Sequence, residues 1–413
     1  MIETLRIDRL GAQGDGIAET PGGPVYVPFT LPGETVELDR SGGRTRPVSI
    51  LEASTDRVPP PCRHFGDCGG CSLQHMEAAA YLAFKRERVV EALRSRGIDT
   101  PVEPTVACRP ATRRRVVLSA RRVESAMVLG FNRAMSHDVV DLLECRVAKP
   151  AIEAALPLLR DLVAAVGLGA KDAHVAVVVS DAGMDIAVTQ AGRIREEARL
   201  AASRIATAKK VARLSVNGEV LLESARPTVR FGRAVVTPPP GGFMQAVEDA
   251  ESVIAELVTA HLAPAKRVAD LFSGSGAFAL RLAEKAELHA VESDSAALAA
   301  LDRGFRESVG LRRVTTERRD LFRRPLTTTE LGRFDGLVFD PPRAGAEAQA
   351  TQIARSDVPL VAAVSCNPAT LGRDLRTLLD GGYRIERVTP VDQFLWSAHV
   401  EAVALLSKPK RRR

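Results

Sequence analysis

From Thr237-Pro-Pro-Pro-Gly-Gly242 onward, short apolar runs alternate with helical stretches. Val268 to Phe272, Leu288 to Glu292, Gly336 to Asp340, Leu360 to Ser365 and Glu401 to Leu406 read as strands. Ala277 to Lys285, Ser295 to Val309 and Ala369 to Leu379 read as the helices between them. Such alternation specifies an α/β, doubly wound, Rossmann-like parallel sheet, with ligands held beyond the carboxyl ends of its strands. Two strand ends carry unusual chemistry. One runs into Asp340-Pro-Pro-Arg343, and the other into Val-Ser-Cys366-Asn-Pro. A thiol at a strand end, in a chain that also has a glycine-rich loop, is placed for nucleophilic attack. Taken alone, a free cysteine is also readable as a small buried hydrophobe, though the nucleophilic reading is favoured here.

At 413 residues the chain is too long for one compact core, so two or three domains are expected. We place them at residues 1–55, 56–237 and 238–413, divided at Pro59-Pro-Pro61 and at the Thr237 linker. No apolar run reaches the ~18 residues that span a bilayer. The N-terminus alternates charged and apolar residues, unlike a signal peptide. A cytoplasmic location follows, with no membrane contact. The balance of 57 Lys plus Arg over 51 Asp plus Glu is compatible with a nucleic-acid partner.

Residues 1–55 read as a small β-barrel. Its strands are Thr4 to Ile7, Val25 to Val27, Thr35 to Leu38 and Arg46 to Leu51, parted by Gly and Pro turns. The Gly11-x-x-Gly14-x-Gly16 stretch, followed by Val25-Tyr-Val-Pro-Phe-Thr-Leu-Pro-Gly-Glu34, resembles the TRAM module, an OB-like barrel that binds RNA. A helix is expected from Met76 to about Arg96, with Tyr81, Phe84, Val89 and Leu93 on its apolar face and Gly97 as its stop. It is placed to pack on the catalytic domain. Residues 105–237 read as α+β, with strands at Val116 to Ala120, His174 to Val179 and Asp185 to Thr189. Arg109, Arg113, Arg114, Arg115, Arg121 and Arg122 make either a solvated strand face or an RNA-facing one. The tail Lys408-Pro-Lys-Arg-Arg-Arg413 is expected to touch phosphate.

Cys62, Cys68 and Cys71 crowd together, and Cys145 follows 74 residues after the last of them. Four thiolates suit a tetrahedral zinc or an iron–sulfur cluster, and spacing does not choose between the two. Cys108 reads as a core residue. In Asp270-Leu-Phe-Ser-Gly274-Ser-Gly276 the glycines permit a tight turn and close approach to a ligand. Glu292, 22 residues after Asp270 at the next strand end, suits ribose hydroxyls. This set resembles class I methyltransferases, which bind S-adenosylmethionine, and there Asp320 falls where the adenine is contacted.

Cys68-Gly-Gly-Cys71-x-x-Gln-His, Phe243-x-Gln245, Asp270-Leu-Phe-x-Gly, Asp340-Pro-Pro-Arg343, Ser-Cys366-Asn-Pro and His399-x-Glu401 occur in order. In these motifs the chain resembles the RNA uracil-5-methyltransferases over nearly its whole length. The resemblance implies a TRAM module, a central domain with a [4Fe-4S] cluster and a class I methyltransferase domain. It further implies that Cys62, Cys68, Cys71 and Cys145 bind the cluster. Gln245, Phe272, Glu292, Asp320 and Asp340 would line the S-adenosylmethionine pocket. Cys366 would be the nucleophile that adds to uracil carbon 6, and Glu401 the base that removes the carbon 5 proton. The implied product is 5-methyluridine; the TRAM module and the cluster favour 23S rRNA, with tRNA as the alternative, and a monomer is expected. Two departures stand out. The family's Cys-Gly-x-Gly-Asn loop is Ser273-Gly-Ser-Gly-Ala277 here, and Leu395-Trp396-Ser397 replaces the family's Pro-His-Thr. An inactive TRAM-bearing RNA-binding or assembly factor is the non-enzymatic alternative.

Overall fold

The structure, a computed structural model, describes residues 2–39, 46–124, 126–169 and 171–409. The expected phosphate contact of the basic tail falls, from residue 410 on, outside the described residues.

Gly and Pro turns cut the first 52 residues into six short strands. Ile2–Arg6, Thr35–Asp39 and Arg46–Glu52 form one antiparallel sheet, and Arg9–Leu10, Gly16–Thr20 and Gly23–Val27 form another. Ile7, Ala18, Val25, Val27, Val36 and Leu38 fill the space between them. Gly16–Thr20 is a strand the sequence does not announce, because its leading glycine resembles a turn residue. In the strand, a Cβ at position 16 would sit 2.1 Å from Thr30 Oγ1, so close packing requires glycine.

The helix Ala78–Arg94 starts where the Glu77 carboxylate accepts the amides of Ala79 and Ala80. It ends before Gly97, whose φ of +67° suits a residue without a Cβ. Its buried face is Tyr81, Lys85, Val89 and Leu93, so a lysine occupies the stripe position assigned to Phe84. The helix lies against helix Pro368–Asp380, so tightly that a Cβ on Gly372 would meet the Ala92 carbonyl at 2.7 Å.

Beyond it lies a six-stranded sheet in the order Glu219–Glu223, Arg213–Val216, Gly183–Thr189, Ala173–Ser180, Arg115–Val123, Ala126–Gly130. One pair, Gly183–Thr189 with Arg213–Val216, is parallel and the others are antiparallel. Leu159, Leu162 and Val163 of helix Leu156–Val166 and Ala202 and Ala206 of helix Glu196–Ala208 share one core with it.

The C-terminal sheet has seven strands in the order Val314–Arg318, Glu287–Glu292, Arg267–Leu271, Gly336–Phe339, Leu360–Ser365, Glu401–Ser407, Arg384–Val391. Two apolar clusters, one around Ile254, Val258 and Leu301 and the other around Ile353, Leu371 and Leu375, pack with it. The sheet is not parallel throughout. Glu401–Ser407 runs antiparallel to both neighbours, because residues 392–400 form a short return with no crossover helix. Its first residue, Glu401, therefore lies at the edge where the parallel strands end. Arg384–Val391 escaped the sequence reading because Arg384, Glu386, Arg387 and Pro390 interrupt its apolar pattern. The helix expected over Ala277 to Lys285 is reduced to Ala279–Leu282.

Candidate active site

A cavity of about 1110 Å³ opens over these strand ends. All the predicted cofactor and catalytic residues line it, and so do the four clustered cysteines.

The glycine loop forms one wall. Asp270 is fully buried, and its Oδ2 accepts the Ala279 amide at 2.8 Å while Oδ1 has no partner. Burial holds its carboxyl well above the ordinary range, with Asp340 and Glu292 adding to the effect. Phe272 follows with a φ of +63°, a costly conformation for a bulky residue. It is pinned by what comes next: Ser273 donates to the Val291 carbonyl, and Gly274 donates to Glu292 Oε2 at 3.1 Å. Glu292 Oε1 accepts the amides of Ser293 and Asp294 as well. The carboxylate expected to meet a ribose thus also ties the loop to the neighbouring strand. Phe272 packs against Phe322, ring centroids 5.5 Å apart. Asp320 lies on the cavity wall but its Oδ1 caps the following turn through the amides of Phe322 and Arg323. Ala277 brings only its backbone and a methyl group to the cavity.

Cys366 follows the strand Leu360–Ser365 and is half-buried. Desolvation pushes its thiol up to about 11; Glu401 and Asp340 push the same way, and Arg343 opposes them. Arg343 also donates to the His399 ring at 2.7 Å. Burial and this guanidinium push His399 down to about 4, so the ring stays neutral. Asn367 caps helix Pro368–Asp380 through the Ala369 amide and donates to the Arg343 carbonyl at 2.9 Å. The turn that carries Cys366 is thereby fastened to the Asp340-Pro-Pro-Arg343 turn.

Glu401 is 2% exposed. Its Oε2 accepts Gln393 Nε2 at 3.0 Å and its Oε1 has no partner. Gln393 Nε2 also donates to Gln245 Oε1 at 2.8 Å, and Gln245 Nε2 donates to Asp340 Oδ2 at 3.0 Å. Two carboxylates are therefore linked through two amides. Burial pushes Asp340 up to about 7 and raises Glu401 well above the carboxylate range, with Asp340 adding to the latter. Gln393 was missed by sequence reasoning. It lies in an unread connection, and a single amide carries no motif.

The other end of the cavity holds Cys62, Cys68, Cys71 and Cys145, all as free thiols. Burial, with the charges of neighbouring cysteines, pushes Cys68 up to about 11 and Cys71 up to about 12, and burial also raises Cys145. Among the described residues no three His, Cys, Asp or Glu side chains are gathered as metal ligands. The expected [4Fe-4S] cluster thus finds donors of suitable kind and number, but not a ligand arrangement. The arginine group divides. Arg114 is buried against Glu251 at 2.7 Å, Arg121 pairs with Asp172 at 2.7 Å and Arg109 with Asp249 at 2.8 Å. Arg113 and Arg115 instead line the cavity, and Arg115 sits over the exposed Phe243 ring, 5.9 Å from its centre. Cys108 packs against the core of the C-terminal sheet.

The family model for tRNA (uracil-5-)-methyltransferases matches residues 255–409. The chain is 58% identical to an uncharacterized RNA methyltransferase of Mesorhizobium japonicum, with 100% of each covered. It is 34% identical to the 23S rRNA (uracil(1939)-C(5))-methyltransferase RlmD of Halomonas elongata, covering 98% of this chain and 89% of that one. The chain belongs to the RNA uracil-5-methyltransferase family. Its fold is shared with the tRNA (uracil-54, C5)-methyltransferase of Pyrococcus abyssi, solved with S-adenosyl-L-homocysteine, at a TM-score of 0.74 and 21% identity over 98% of this chain and 99% of that one. Members of this family are S-adenosylmethionine-dependent enzymes. Among the described residues no helix is long and apolar enough to cross a membrane.

Proposed function

We propose that this enzyme forms 5-methyluridine in 23S rRNA through a transient bond from Cys366 to uracil. One observation carries the reading: the Cys366 thiol and the unpartnered Glu401 Oε1 belong to the same cavity as the glycine loop. A uracil must first leave its stack to enter, which costs a few kcal/mol. Cys366 gives its proton to solvent, its thiolate adds to carbon 6, and the C5=C6 electron pair moves to carbon 5 and the O4 enolate. Carbon 5 takes the methyl group, and the departing sulfonium bond leaves its electrons on S-adenosylhomocysteine. Glu401 Oε1 removes the carbon 5 proton, the double bond reforms, and the thiolate departs. Gln245, Phe272, Glu292, Asp320 and Asp340 hold the cofactor in this reading. Residues 1–55 act as a TRAM-like RNA-binding barrel and residues 56–237 as the central domain. The catalytic domain is 238–413, in a monomeric cytoplasmic protein.

The relative acting on 23S rRNA, aligned over 98% of this chain, supports the ribosomal target. The family description matching residues 255–409 supports tRNA as the second reading. Mapping 5-methyluridine in RNA from a deletion strain decides. Loss at one 23S uridine is expected. Loss in the tRNA T-loop moves the target, and no loss anywhere leaves an assembly factor.

We also propose that Cys62, Cys68, Cys71 and Cys145 hold a [4Fe-4S] cluster. In support stands the chemistry of the donor set: four half-buried thiols that feel one another's charge, beside the Arg113 guanidinium. When bound, the cluster would cross-link the Cys62–Cys71 segment to Cys145, and no step of methyl transfer runs through it. Iron and sulfide analysis of anaerobically purified protein tests this. Four iron atoms per chain are expected, and zinc in their place would refute the cluster.

A further inference from the structure

The connection between the last two strands in sequence, residues 392–400, faces two ways. Asp392 turns back into the molecule, where its Oδ1 accepts Tyr81 OH at 2.8 Å and Lys85 Nζ at 2.5 Å. Both partners come from the Ala78–Arg94 helix. Lys85 is wholly buried, and its ammonium also donates to the carbonyls of Phe394 at 2.9 Å and His399 at 2.6 Å. Tyr81 OH accepts the Trp396 amide at 2.7 Å, and the Trp396 carbonyl accepts the amides of Ser72 and Leu73. These bonds hold Trp396 at a φ of +58°, which a non-glycine residue rarely adopts. The next residue along from Asp392 turns forward. Gln393 is 2% exposed and gives both its N–H bonds to the site, one to Glu401 Oε2 and one to Gln245 Oε1.

A buried ammonium is costly unless every proton finds an acceptor. All three acceptors of Lys85 lie on the one connection that leads into Glu401. An apolar residue would fill the helix stripe without that cost, so stripe packing alone does not account for lysine. We propose that Lys85 and Gln393 are positioning residues for the base. Lys85, with Tyr81 and Asp392, clamps the 392–400 connection to the helix. Gln393 holds Glu401 Oε2, so that Oε1 is the oxygen left to meet the carbon 5 proton. The inference rests on the assignment of Glu401 as base, and concerns what aims it.

The test compares wild type with Glu401→Gln, Gln393→Leu, Tyr81→Phe and Lys85→Met, using S-adenosylmethionine and bulk RNA from a strain lacking the gene. Turnover, the KM for S-adenosylmethionine and the fraction of protein in a denaturant-stable RNA adduct are measured. Gln393→Leu and Lys85→Met are expected to lower kcat about tenfold, with KM within about threefold of wild type. Both should accumulate the adduct formed before proton removal, as Glu401→Gln does. Tyr81→Phe keeps the ring and loses the two hydroxyl bonds, so it should do the same more weakly. A fall in kcat without adduct, a KM rising in step, or unchanged turnover would overturn the proposal. If Lys85→Met does not fold, Gln393→Leu and Tyr81→Phe decide, since neither removes a charge. Full methylation without adduct by Glu401→Gln would instead sink the base assignment itself.

Discussion

Reactivity at Cys366 is decided by three neighbours and by water. Desolvation, Glu401 and Asp340 all disfavour the thiolate, and Arg343 and a backbone hydrogen bond favour it. The thiol is therefore protonated at neutral pH. Below a pKa of about 11 the thiolate fraction rises about tenfold per pH unit, so adduct formation should steepen accordingly from pH 7 to 9. A flat single-turnover profile over that range would contradict the assigned environment. Arg343→Met removes the lowering charge, raises the thiol further and should slow adduct formation about tenfold at pH 8. Cys366→Ala should abolish methyl transfer while RNA binding, read by filter retention, persists. Glutamine at position 401 keeps the shape of the base but cannot take a proton, so a slow-migrating protein–RNA band is expected on denaturing gels.

At the level of elements, the cofactor loop depends on two glycines for different reasons. Gly276 has a φ of +96°, and a Cβ there would stand 2.8 Å from Leu301 Cγ. Gly276→Ala thus meets backbone strain and an overpacked core, and should cost about 2–4 kcal/mol in urea unfolding. Gly274 has a φ of +52° with open space around it, so Gly274→Ala should cost only about 1 kcal/mol. Equal losses would show that packing against Leu301 does not matter. The reversed strand Glu401–Ser407 is the other decisive element. Its register pairs Ser365 with Ala402, which brings the base alongside the residue after Ser365. In an all-parallel sheet the first residue of that strand would lie at the opposite edge, far from Cys366.

Across the whole molecule, one cavity joins the glycine loop, Cys366 and the cysteine group, and the N-terminal sheet region reaches it through Phe29. Phe29 meets Phe65 edge to face, and Phe65 packs at a tilt against the buried His75, so the N-terminal sheets are tied to the cysteine segment. Leu395 packs with Leu31, Leu73 and Tyr81 in one cluster. The departure at Leu395-Trp396-Ser397 therefore faces the barrel and cysteine region as well as the cavity. Arg113 and Arg115 line this cavity, and under the proposed function they would meet the entering RNA. Arg115→Ala should weaken RNA binding and reduce the slope of log affinity against log salt by about one. An unchanged slope would place the phosphates elsewhere.

Much of this was legible in the linear chain. Runs such as Leu360 to Ser365 are apolar because both faces are covered, and the glycine loop, Asp340 and Cys366 fall at their ends. These signals are local, so periodicity and motif reveal them. Lys85, Asp392 and Gln393 gave no such signal. A lysine on an apolar stripe looks like a solvated interruption until a carboxylate 307 residues away is brought to it. The arginine group likewise looked uniform until folding neutralised three of its members and left two facing the cavity. Sequence alone determined the α/β class and the family and singled out the candidate reacting groups, because each is written in contiguous residues. The tertiary structure alone decided which strand runs backward, which charges are paired and which amide bonds Glu401. Those depend on contacts between segments that lie far apart along the chain.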